Sequence, residues 1–213
     1  MRILICIFTI AILFMQSVLA SDSLATVYKN GTFLTQFQRK AKATNKVAIL
    51  MTDDFVNQFH TTPNMLFTWA LKGLGLEGQK SHELKLNLKT AVLDPKTGIT
   101  HGLVDVVVPN ITTFNDVAVD ARITKNTLVN GGRKVQADVL YSRFLIEKAS
   151  GAFYIIPQGE NEQLIITNLT IKFGWFFNIF ITEQRYKSIV EWRIRKFADN
   201  LKAELEKREK LSE

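Results

Sequence analysis

The sequence predicts an α+β fold: an antiparallel sheet packed on one long C-terminal helix, with two short helices after the first strand. Two observations carry this. From residue 82 to 173 the apolar residues recur at every second position between turn signals, the period of half-buried strands. From Glu183 to Lys210 the period changes: Tyr186, Val190, Ile194, Phe197, Leu201 and Leu205 follow at steps of four, four, three, four and four, one apolar stripe along a helix.

Before these elements stands a leader. Arg2 is followed by the uncharged apolar run Ile3–Met15, then by Val18 and Ala20 at the −3 and −1 positions ahead of Ser21. That is the order of parts in a secretory signal peptide, residues 1–20. The run is too short for a membrane span, which needs about 20 apolar residues. The expected location is therefore secreted or periplasmic. The one cysteine, Cys6, falls in the leader, so the mature chain carries neither disulfide nor thiol chemistry. Without Arg2 the balance is 26 Lys+Arg against 20 Asp+Glu, or +6. The cations are spread along the strands and the last helix, not gathered with stacking aromatics, which speaks against nucleic acid.

Residues 21–45 are polar and mixed and read as an N-terminal arm; residues 46–213 read as one domain. Lys46–Met51 (KVAILM) has the length of a buried strand. Thr52 with Asp53 and Asp54 reads as the start of a short helix, and Thr62-Pro63 as the start of a second, ending at Gly73 or Gly75. His82–Leu93 alternates with Leu84, Leu86, Leu88, Thr90 and Val92 on one face, and Asp94–Gly98 turns the chain. The next strands put Val104, Val106 and Val108, then Val117, Val119, Ala121 and Ile123, on the core face. Asn130–Gly132 makes a turn. Lys134–Lys148 reads as a long strand with Val135, Ala137, Val139 and Tyr141 inward, and Ala149–Gly151 as a turn. Phe153–Ile156 and Leu164–Phe173 are strands joined at Gln158–Asn161. The aromatic run after Phe173 (GWFFNIFI) reads as a continuation of the last strand, bulged at Gly174. That reading leaves Phe176 and Phe180 on a face that meets water.

No G-x-S-x-G or P-loop occurs. His60, His82 and His101 lack metal-ligand spacing, and His101 and Asp105 fall on the strand face opposite the valines, toward water. No metal and no cofactor are expected. The sequons at Asn30, Asn110 and Asn168 decide nothing by themselves.

One strand, two short helices, a run of antiparallel hairpins and a long closing helix: this order resembles the helix-grip fold of the START-like superfamily, which includes polyketide cyclases and lipid-transfer domains. The resemblance rests on element order over about residues 46–210 and not on residue motifs. It implies a curved sheet wrapped around the last helix, enclosing an apolar cavity, and a binding protein for a lipid or other apolar small molecule. The residues then expected at the ligand are Phe55 and Trp69 of the early helices, Phe173 and Phe177 of the last strand, and Tyr186, Val190, Ile194 and Phe197 of the last helix. Each is equally a core residue. The alternative is a membrane-surface or protein-interaction module without ligand. It would use Phe176, Phe180 and Trp192, the last lying about 160° around the helix from Val190 among cations. A cyclase- or aromatase-type enzyme would need a polar dyad inside the cavity, and the sequence contains no pattern for one.

Overall fold

The computed structural model describes residues 22–74, 85–108, 112–142, 146–178 and 181–212. Eight strands form one antiparallel, open, curved sheet: β1 (Asp22–Lys29), β2 (Thr32–Lys42), β3 (Lys85–Asp94), β4 (Ile99–Val108), β5 (Thr112–Thr127), β6 (Arg133–Ser142), β7 (Ile146–Pro157) and β8 (Glu162–Phe173). The spatial order is β1-β2-β8-β7-β6-β5-β4-β3. Helix α1 (Asn45–Thr61) and a 3-10 helix (Pro63–Thr68) follow β2; a helical turn α2 (Trp175–Asn178) and the long α3 (Glu183–Ser212) follow β8.

The segment expected to be an arm is β1 and β2. In TFLTQFQRKAK the residues Phe33, Thr35, Phe37 and Ala41 alternate inward and are all buried. They pair in register with β8, Phe33 opposite Ile171 and Phe37 opposite Thr167. β2 is the strand on which α3 chiefly lies.

KVAILM, expected as a strand, belongs to α1. Thr44 caps it, accepting from the Val47 N–H, and Val47, Ala48, Met51, Thr52 and Phe55 form its buried face. A continuous apolar run suits a buried helix as well as a strand, and here the core that the run packs into decides. Thr52, expected as a cap, sits inside the helix and donates to the carbonyls of Ala48 (3.0 Å) and Ile49 (2.8 Å). The expected second helix begins at Pro63 but is a six-residue 3-10 turn.

The inward faces of β4, β5 and β8 are as the alternation predicts, with Val106, Val117, Ile123, Ile165 and Thr167 buried. Two bulges overturn it elsewhere. The register shifts between Leu88 and Thr90, sending Thr90 and Val92 to the outer face, where Val92 is 64% exposed. A second shift opposite Asp120 and Ala121 leaves Leu140 unpaired and turns Tyr141 outward, 52% exposed. The expected turn at Ala149–Gly151 is the middle of β7, paired with both β6 and β8.

α3 starts where Thr182 accepts from the Arg185 N–H (3.2 Å). It buries Tyr186, Val190, Ile194, Ala198, Leu201 and Leu205. Its charged side clamps the chain after the 3-10 helix: Asn200 donates to the carbonyls of Ala70 (3.0 Å) and Lys72 (2.8 Å), and Arg193 to that of Leu74 (2.8 Å). Glu209, in turn, accepts from the Thr44 N–H (2.7 Å), so a carboxylate meets the positive end of α1. Among the described residues, no helix is long and apolar enough to cross a membrane.

Candidate functional site

Register and alternation define which side chains face the helices. α3 lies over β2, with lesser contact to β8 and β1; α1 lies over β5 and β6 near their shared turn, where Lys125 meets Asp53 at 2.5 Å. Under these helices the inward residues are large and enclosed: Phe33, Phe37, Val135, Phe153, Ile155 and Ile165.

Between them lies a different floor. Along β5, β6 and β7 the inward positions are Val119 and Ala121, Ala137 and Val139, and Ala149 and Gly151. Leu169 and Ile171 border them on β8, opposite Gly151 and Ala149. Apart from Ala149, these residues are only half-buried, no more enclosed than outward neighbours such as Ala152 and Asn168. Among the described residues, a side-chain carbon added to Gly151 would meet only the Leu169 Cδ1, at 3.9 Å. The sheet here is paved with small residues, and among the described residues the space above Gly151 is open.

The floor has apolar walls. On one side stands the aromatic cluster of Phe55, Trp69, Phe153 and Phe197, with Phe55–Phe153 ring centres 5.0 Å apart and Phe153–Phe197 5.9 Å apart. On the other are Phe173 and Ile181, which touch both the main core and a smaller cluster around Val106 and Val117. Two clefts open at the surface of the described residues. One of about 450 Å³ runs between Thr61–Met65 and Leu88–Ala91, within the range of ligand sites. The other, of about 250 Å³, is lined by Val139–Ser142, Ile146 and Glu147.

The residues expected at a ligand are brought together, mainly as packed core. Tyr186 stacks on Phe33 with ring centres 4.0 Å apart. Its hydroxyl shares a 3.0 Å hydrogen bond with Thr35, and burial pushes the phenol above its ordinary value. Thr35 contacts Thr26 (3.3 Å), which donates to Glu191 (2.7 Å), so one polar chain ties β1, β2 and α3. Phe55, Val190 and Ile194 are buried. Trp69 is half-buried and donates to Gln58 at 2.8 Å. Phe197 is half-buried and Phe173 borders the floor. The side chain of Phe177 lies outside the described residues, as do Phe180 and the side chain of Phe176.

The strand reading of the aromatic run is corrected. The alternation ends at Phe173 because Trp175–Asn178 close a helical turn, with the Asn178 N–H bonded to the Gly174 carbonyl at 3.1 Å. The expected water-facing placement of Phe176 and Phe180 therefore no longer follows from strand geometry. Trp192 is half-buried, with the Arg193 guanidinium 4.6 Å from its ring centre. His101 faces outward, its Nδ1 2.7 Å from Asp120. Asp105, on the same face, meets Lys89 at 3.0 Å and accepts from the Asp116 N–H at 3.0 Å. Among the described residues, no three His, Cys, Asp or Glu side chains are grouped to hold a metal ion.

Sequence reasoning passed over Phe33, Thr35 and Phe37, whose alternation was visible, and the small residues of the floor. Ala121 and Ala137 stood at inward positions in the pattern, but small size was not a signal of open space.

An open, curved antiparallel sheet with α1 and the 3-10 helix inserted after its first strands, and a long C-terminal helix across its inner face, is the helix-grip architecture. No family model matches the chain, and no curated protein matches its sequence. Solved structures do. A START superfamily protein from Mycobacterium smegmatis has 10% identity over 82% of this chain and 97% of its own, with a TM-score of 0.44. The Zhui aromatase/cyclase from a Streptomyces species has 9% identity over 84% and 94%, with a TM-score of 0.44. Human StAR-related lipid transfer protein 5 has 9% identity over 93% of each chain, with a TM-score of 0.45. Likeness of this size bears on the course of the backbone alone, and says nothing about ligand or activity.

Proposed function

We propose that this protein binds an apolar small molecule or lipid on the floor between α1 and α3, and that it does so outside the cytoplasm after removal of residues 1–20. The observation that carries the reading is the small-residue floor. Ala121, Ala137 and Gly151 leave inward-facing apolar surface half-open, whereas Phe33, Phe37, Val135, Phe153, Ile155 and Ile165 fill the inward face under the helices. Apolar surface left in contact with water is unfavourable by about 25 cal/mol per Å², so an occupant that covers it is stabilised by that burial. The aromatic walls of Phe55, Trp69, Phe153 and Phe197 suit an apolar occupant.

The leader supports the extracytoplasmic reading: a short apolar run ended by small residues is the form of a removable signal. The test is native mass spectrometry of protein purified from the compartment it is exported to, paired with solvent extraction. A co-purifying apolar molecule released only on unfolding is expected, together with an N-terminus at Ser21. Protein that carries no such molecule, and takes up none from an equimolar mixture of lipids and aromatic hydrocarbons, would refute the binding reading. An intact N-terminus would refute the export reading alone.

A further inference from the structure

The sheet ends in two edge strands, β1 and β3, and among the described residues neither pairs with a further strand. The two edges are built differently. An open edge offers a row of unpaired N–H and C=O groups, and proteins ordinarily blunt it with a bulge, a proline or lysines along its length. β3 is blunted: its register breaks between Leu88 and Thr90, and Lys85 and Lys89 stand along it. β1 is not. It pairs with β2 without a break, from Asp22 opposite Arg39 to Lys29 opposite Thr32. It has no proline, and its charges, Asp22 and Lys29, stand only at its ends, around the uncharged run SLATVY. Val27 and Tyr28 are each 45% exposed, and Leu34, opposite Val27, is 44% exposed. The hairpin fixes which main-chain groups are free. β1 and β2 are joined by the two-residue turn Asn30-Gly31, both at positive φ, 51° and 75°. In such a hairpin the flanking pair, here Lys29 and Thr32, is hydrogen-bonded, and bonded pairs alternate from there. Ser23, Ala25 and Val27 therefore turn their N–H and C=O to β2, and Leu24, Thr26 and Tyr28 turn theirs to the open edge.

We infer that β1 pairs antiparallel with β1 of a second copy of this chain, about a two-fold axis through Thr26, joining the two sheets edge to edge. Antiparallel alignment brings the Asp22 end of one copy to the Lys29 end of the other, so the charges at the ends are complementary. The two-fold axis keeps inward residues opposite inward ones. Centred on Thr26, every pair is compatible: Leu24 lies opposite Tyr28 on the inner face, Ala25 opposite Val27 on the outer face, and Thr26 opposite itself. Centred on Ala25, Tyr28 would instead face Asp22 and Leu24 would face Thr26, and the apolar pairs are lost. In the Thr26 register the free groups of Leu24, Thr26 and Tyr28 give about six main-chain hydrogen bonds between the copies. The exposed Val27 and Leu34 of each copy also come together on the outer face. A contact along one strand edge is of the small, transient class, so association in the micromolar range is expected. It lies apart from the floor, and the ligand reading stands or falls without it.

The test is sedimentation velocity of the mature chain from about 1 to about 500 µM, the range in which a contact of this class forms. A reversible monomer–dimer equilibrium is expected. Thr26→Pro removes the N–H at the axis and should leave monomer at every concentration; an edge strand tolerates proline where the N–H points outward, so the fold is expected to hold. Thr26→Val loses the hydroxyl but keeps the N–H, and should still dimerise. Val27→Lys and Ala25→Glu should each weaken the dimer about three- to tenfold. Mixed in equal amounts, these two variants should form the mixed dimer in preference to either homodimer, read by native mass spectrometry, because the new charges then stand opposite each other. Monomer throughout would overturn the inference. A dimer unaltered by Thr26→Pro and Val27→Lys would place the contact elsewhere and overturn it as well. Circular dichroism checks that the variants fold; if Thr26→Pro does not, the mixed dimer decides, and its absence would overturn the pairing.

Discussion

Gly151 offers the sharpest perturbation of the proposed site. It sits mid-strand in β7, and its backbone lies outside the left-handed region, so any residue can adopt its conformation. Among the described residues, the new carbon of Gly151→Ala would meet only the Leu169 Cδ1 at 3.9 Å, an ordinary contact. The substitution lowers the entropy of the unfolded chain and should stabilise by about 0.4–1 kcal/mol. For a chain of this size, about 1 kcal/mol moves the midpoint by roughly 2–4 °C, so a rise of about 1–4 °C is expected. Gly151→Leu carries the side chain further over the floor. If it denies a ligand about 100 Å² of apolar contact, at about 25 cal/mol per Å² the loss is about 2.5 kcal/mol, or roughly 50- to 100-fold in Kd. Differential scanning calorimetry measures the first effect, and titration of a bound apolar probe the second. A Gly151→Ala variant that loses 1 kcal/mol or more would mean the space above Gly151 is filled. A folded Gly151→Leu variant that binds as well as the parent would place the ligand elsewhere.

Three further outcomes follow from the core and its rim. Leu201→Ala, at a fully buried position under the middle of α3, should cost about 2–5 kcal/mol in urea unfolding, the range for such cavities. Tyr186→Phe keeps the stack on Phe33 but removes the bond to Thr35, and should cost about 0.5–1.5 kcal/mol because Thr35 retains its contact with Thr26. The third concerns acid. The hydrogen bonds from Arg39 hold the Asp22 carboxyl below its ordinary 3.8. A carboxyl depressed in the folded state contributes stability that is present above 3.8 and lost as pH falls through the lower folded value. Melting points measured from pH 5 down to pH 2 should fall steeply, and less steeply in Asp22→Asn; parallel curves would remove Asp22 from the acid limb.

How far the fold was legible depended on how local each signal was. The stripe from Tyr186 to Leu205 needs only its own spacing, and α3 covers it. The turns at Asp94–Gly98 and Asn130–Gly132 carry residues whose backbone preferences make a turn wherever they stand, and both are turns here. The faces of β5 and β8 follow from alternation uninterrupted from Val117 to Ile123 and from Ile165 to Phe173.

The sequence by itself therefore determined the long helix, the hairpin punctuation and the inward side of the regular strands, because each is written in residues a few positions apart. Only the tertiary structure decided the rest. After Lys46, VAILM is apolar at every position and has no period of its own; the burial of Val47, Ala48 and Met51 in the main core makes it a helix. The bulges at Lys89 and Leu140 depend on what the neighbouring strand offers for pairing, and they move Val92 and Tyr141 to the outer face. The meaning of Ala121, Ala137 and Gly151 depends on which helix passes above them. A small residue is filler under a helix and open space beside one, and that distinction exists only once α1 and α3 are laid across the sheet.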